Sequence, residues 1–168
     1  MYTKILLPLD GSALAAAMLP IVGKMAMNTN ATVVLLCAMQ EPKEEAQRAG
    51  MVRITHALTD VLVGSSNPQV DPYTQQLERE QAAAQSVLDL AAATLRAQGI
   101  NTETIVEFGD PAESILKVAK QREVDLIAMG THGRSGLSRL LLGSVAEYVM
   151  RHSTVAVLLL RVGDAAHL

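Results

Sequence analysis

The sequence predicts an α/β fold built on an open parallel sheet, on three observations. Short apolar runs alternate with longer stretches of helical spacing, and that alternation marks βαβ units. Apolar residues make up 49% of the chain, yet it has one Phe, three Tyr and no Trp. Continuous aliphatic runs of this kind suit strands buried on both faces. The 168 residues match one domain on the prior of roughly 100–200, long enough to bury about two-thirds of the unfolded surface.

The strand candidates are residues 2–9, 31–39, 102–108, 124–129 and 154–161. After the first, Leu14, Met18, Ile21, Val22 and Met25 share a helical face. Pro20 predicts a kink there, because an internal proline removes a helical hydrogen bond. Residues 40–73 are read as an inserted segment, polar to Gly50, apolar over 51–63, then Gly-Ser-Ser-Asn-Pro. A structureless loop of that length is unusual in a compact domain, so a short helix or a lid is expected. His56 there has no carboxylate or cysteine at ligand spacing. From Thr74 to Ala97, Leu77, Ala84, Val87, Leu88, Ala91 and Leu95 form one stripe, with Gly99 as a stop. Asp110-Pro111-Ala112-Glu113 is a strong helix start, and Ile115, Val118 and Ala119 follow as a core face. Gly143-Ser144 opens a last helix with Val145, Tyr148 and Val149 toward the core. One domain over 1–162 and a mobile tail over 163–168 are expected.

The bulk numbers exclude several classes. The net charge is -3 and no basic stripe appears, which argues against nucleic acid. The single cysteine, Cys37, rules out an intrachain disulfide or cysteine cluster and reads as a small buried hydrophobe. No run approaches the roughly 18 apolar residues of a membrane span. The run Ile5 to Leu9 is shorter than the about 7–15 apolar residues of a signal-peptide core, so the cytoplasm is the expected compartment.

In open parallel sheets, ligands bind beyond the carboxyl ends of the strands. Leu9-Asp10-Gly11-Ser12 places a carboxylate and a helix-capping serine after strand one. Gly130-Thr131-His132-Gly133, nine residues, then Gly143-Ser144-Val145 follow strand four. Gly130 and Gly133 are read as turns with positive φ that admit a ligand closely. Gly143-Ser144 offers a helix N-terminus for an anion, with Arg134 and Arg139 as countercharge. Each part also has a plainer reading: Asp10 as a helix cap, Arg134 and Arg139 as solvated loop residues, His132 as a turn residue. His152 sits at a helix end, where the dipole favours a cation.

Lys4-Ile5-Leu6-Leu7-Pro8-Leu9-Asp10-Gly11-Ser12, Gly109-Asp110-Pro111-Ala112-Glu113 and Asp125 to Gly133 together resemble the universal stress proteins. The pattern G-x2-G-x9-G-[S/T] of that family's nucleotide-binding branch is met by Gly130, Gly133, Gly143 and Ser144. The resemblance implies a Rossmann-like adenine-nucleotide-binding fold, a five-stranded parallel sheet in the order 3-2-1-4-5 with helices on both faces. It implies ATP as ligand, with Pro8, Ala38 and Met129 around adenine and Asp10 at the ribose or a metal. Gly130, Gly133 and Arg134 would lie along ribose and phosphates, and Gly143, Ser144 and Val145 would cradle the phosphates. A magnesium ion would be held through the phosphates, with Asp10 and Ser144. It also implies a homodimer through the last strand, 154–161, whose apolar edge invites pairing in its own right. Ser153 and Ala156 stand where the family often has cysteine and proline.

A regulatory ATP-binding module, read by a protein partner in stress response, is the expected function. The alternatives are a slow ATPase or autophosphorylating enzyme and a nucleotide-free dimeric scaffold. No G-x4-G-K-[S/T] loop is present, so a P-loop lysine is lacking, and no base stands beside Asp10 for phosphoryl transfer. The few aromatic residues argue against a stacked flavin.

Overall fold

A computed structural model describes residues 1–39, 72–132 and 143–162 of the chain. Strand β1 (Lys4–Pro8) leads through the short helix α1 (Ala13–Ala16) to α2 (Leu19–Thr29) and β2 (Thr32–Met39). Then follow α3 (Pro72–Arg96), β3 (Thr102–Phe108), α4 (Pro111–Gln121), β4 (Leu126–His132), α5 (Ser144–His152) and β5 (Ala156–Val162). The strands pair in parallel in the order β3-β2-β1-β4-β5, the order the resemblance implied.

Strand alternation sends successive side chains to opposite faces, and two cores result. Ile5, Leu7, Val33, Leu35, Leu126 and Ala128 pack with Met18 and Val22 of the first helical pair and with Leu88, Ala92 and Leu95 of α3. On the other face Leu6, Val34, Leu36, Ile127 and Met129 meet Ile115 and Val118 of α4 and Ala146 and Val149 of α5. Each fully buried Leu or Ile contributes about 1.5–3 kcal/mol, so the alternating runs fix the register of both faces.

The helix signals resolve locally. Asp110 Oδ1 accepts the N–H groups of Ala112 (2.9 Å) and Glu113 (3.1 Å), as a cap should. Pro20 lies in the first turn of α2, so the expected kink is a break between α1 and α2, since a proline is tolerated at a helix start. Three expectations on burial are corrected. Ile21, Val87 and Tyr148 are 38%, 40% and 39% exposed. Each sits at the margin of its apolar stripe, and periodicity alone does not say how wide an arc the sheet covers. Strand β4 also runs past Gly130 to His132, because its backbone stays paired with β5 through Gly130↔Leu160 and His132↔Val162. Neither Gly130 nor His132 is therefore a turn residue, and Gly130 has no positive φ.

The expectations for residues 40–71, with His56, and for the tail 163–168 lie outside the described residues. No helix among the described residues is long and apolar enough to cross a membrane.

Candidate functional site

The sheet order steps from β1 to β2 on one side and to β4 on the other, and beyond such a reversal the chains diverge and leave a crevice. A cleft of about 290 Å³ lies there. β1 and the turn after it contribute Pro8, Leu9, Asp10 and Ser12, and α1 contributes Leu14 and Ala15. β2 adds Leu36 and Ala38, β4 adds Met129, Gly130 and Thr131, and α4 adds Pro111 and Ile115. Gly143, Val145 and Ala146 close it at the start of α5.

Asp10 is not the cap of α1. Ser12 Oγ takes that role, accepting the Ala15 N–H at 3.2 Å, while Asp10 Oδ1 accepts the Ser12 N–H at 2.9 Å. The two bonds stiffen the turn and hold the exposed Asp10 carboxylate at the cleft. Its charge reaches the end of β2: the Cys37 thiol is pushed above its ordinary value, first by burial and then by Asp10. A thiol so raised stays neutral at physiological pH, which fits a packing role.

The two glycines that frame the cleft differ in cause. A Cβ on Gly130 would stand 3.0 Å from Leu14 Cγ and 3.2 Å from the Leu14 carbonyl oxygen, so α1 itself excludes a side chain. A Cβ on Gly143 would meet nothing within 4 Å. Gly143 is the N-cap of α5, with φ -55 and no side-chain capping bond. The first amides of α5 are thus left without a side-chain acceptor at the positive end of the helix dipole.

Of the residues singled out in the sequence, Pro8, Asp10, Ala38, Met129, Gly130, Gly143 and Val145 come together around this cleft. Ser144, the exposed first residue of α5, is not in its lining. Gly133, Arg134 and Arg139 lie outside the described residues. Sequence reasoning missed Leu36, Thr131, Pro111 and Ile115. In the sequence Pro111 reads only as a helix start and Ile115 only as a core-face residue, and the strand order is the signal that places α4 against this crevice. Among the described residues no cluster of His, Cys, Asp or Glu is suited to a metal.

The family model described as "Universal stress protein family" matches residues 38–161. Universal stress protein YxiE of Bacillus subtilis is 30% identical over 161 residues, covering 96% of this chain and 100% of the relative. Universal stress protein MJ0577 of Methanocaldococcus jannaschii is 30% identical over 164 residues and 96% of each chain. The solved structure of MJ0577 superimposes with a TM-score of 0.69 at 27% identity, covering 98% of this chain and 99% of that one. A universal stress protein solved in complex with cAMP shares the fold, with a TM-score of 0.64 at 20% identity and coverage of 95% and 97%.

Proposed function

The chain belongs to the universal stress protein family, and on that premise we propose that it binds ATP in this cleft as a regulatory module of stress response. The observation that carries the reading is the convergence of an apolar wall, a carboxylate and an uncapped helix start at one strand-order reversal. Pro8, Ala38 and Met129 offer apolar surface to the adenine, Asp10 a hydrogen-bond acceptor to the ribose, and the α5 start an electropositive end to the phosphates. The fold-mate in complex with cAMP supports an adenine nucleotide as the ligand class. Magnesium, in this reading, rides on the phosphates beside Asp10 and Ser144. Gly133 and Arg134, from the glycine motif, are the further ribose and phosphate contacts in this reading.

Hydrolysis has less support, because Asp10 is the only carboxylate in the cleft lining among the described residues. The same proposal places the protein in the cytoplasm as a homodimer joined along β5. That strand is an edge of the sheet, and its Val157 to Leu160 stretch is only half-buried, the kind of apolar edge that pairs. A protein partner then reads the nucleotide state. The test is to denature freshly purified protein, identify released nucleotide, and measure unfolding with and without ATP. Released adenine nucleotide, or stabilisation approaching about 2.7 kcal/mol at a hundredfold excess over Kd, is expected. No released nucleotide together with no shift at millimolar ATP would contradict the reading.

A further inference from the structure

A second hollow, of about 340 Å³, lies between the first helical pair and α3. Ala15 and Ala16 of α1 and Leu19 of α2 line one side, and Val87, Leu90 and Ala91 of α3 line the other. The turn after β1 adds Leu9 and Ser12, and α3 adds Thr94. Although apolar, Leu90 and Val87 stay 73% and 40% exposed. Apolar surface left to solvent around a concavity marks a place where something binds.

The dimensions of the hollow decide what fits. Ten residues line it, whereas a stable protein interface takes about 20–30 a side. Small-molecule pockets begin near roughly 300 Å³. A cavity of roughly 150 Å³ holds a benzene-sized guest, so this one suits roughly a dozen non-hydrogen atoms. None of the lining residues carries a charge, and a charged guest would lose its water without a partner. The only polar side chains among them are the Ser12 and Thr94 hydroxyls. Ser12 Oγ accepts the Ala15 N–H at 3.2 Å, and Thr94 Oγ1 donates to the Leu90 carbonyl at 3.0 Å. Each hydroxyl keeps capacity for a further bond.

We propose that this hollow is a second ligand site, distinct from the nucleotide cleft, for an uncharged, mainly hydrocarbon small molecule carrying one hydroxyl or carbonyl group. The two spaces share Leu9, Ser12 and Ala15, but the α3 residues line the hollow alone.

The test titrates aminoanthracene, uncharged and fluorescent in apolar surroundings, into the full chain and then displaces it with n-octanol. One saturable site per chain, emptied by the alcohol, is expected. Leu90→Glu sets a carboxylate beside the guest, and Thr94→Trp fills the space; both positions are exposed on α3. Each variant should weaken probe binding by at least about tenfold while the urea midpoint stays at the wild-type value. No saturable binding to the wild-type chain would overturn the assignment. Undiminished binding in either variant would overturn it too, since the probe would then sit elsewhere, as in the nucleotide cleft. Sedimentation velocity tests the other occupant: a dimer that dissociates in Leu90→Glu would mean that a second copy covers the hollow, and would also overturn the assignment.

Discussion

Just ahead of β1 and β4 the charged side chains are tied to the fold, whereas beyond the carboxyl end of β1 Asp10 borders a cleft. Asp125, just ahead of β4, accepts the Thr3 N–H (2.7 Å), the Thr3 hydroxyl (2.8 Å) and the Lys4 N–H (3.2 Å). Those bonds outweigh the opposing effect of burial and hold its carboxyl below the ordinary value. Nearby, Glu103 pairs with Lys4 at 3.8 Å and Arg122 at 3.4 Å. The opposite end has Asp10 at a turn and a helix start without a side-chain cap. Both ends join the same strands: one end closes the fold, and the other leaves a carboxylate and a helix start at an open cleft.

The same contrast separates the two glycines, and substitution can break it. Gly130→Val should have the largest effect, because it forces β4 against Leu14. Urea unfolding is expected to show a loss of about 1–3 kcal/mol, the usual cost of overpacking, together with loss of ATP binding. Gly143→Val has open space around it, so stability should fall by less than about 1 kcal/mol, the scale of an altered N-cap. ATP binding should still be abolished, as the side chain fills the approach to α5. Undiminished binding in that variant would erase the distinction between the two positions.

Asp10→Ala sharpens the comparison between the sheet ends. It should weaken ATP binding by about 1–3 kcal/mol in a calorimetric titration, because Ser12 keeps the α1 cap; an unchanged affinity would reduce Asp10 to a turn residue. Asp125→Asn should do the reverse, with the smallest effect. The folded carboxyl lies below its unfolded value, so its contribution is present above about pH 3.9 and fades as pH falls through the folded value. Thermal unfolding of the asparagine variant should show a shallower acid decline, less than about 1 kcal/mol for so exposed a group, with ATP binding unchanged.

Much of this was legible in the residues. The aliphatic runs located the inner strands β1, β2 and β4 because a strand buried on both faces carries its signal in every residue, and the half-buried edges β3 and β5 were marked by shorter apolar runs. Asp110-Pro111 marked the start of α4 because a cap is local chemistry. What escaped depends on partners distant in sequence. The extension of β4 through Gly130 comes from pairing with β5. The need for glycine at 130 comes from Leu14, far away in the chain. The outward turn of Val87 and Ile21 reflects how much of each helix the sheet can cover. Thr131 lay inside the glycine motif, yet its place in the cleft lining follows from the extension of β4 and not from its residue type.

The central claim is that the cleft beyond β1, β2 and β4 holds one nucleotide. Calorimetric titration of the purified chain with ATP and magnesium tests it most directly. The account predicts one ATP per chain with a Kd of roughly micromolar order. No heat and no saturation up to millimolar ATP would contradict it, leaving the cleft a feature of packing rather than of binding.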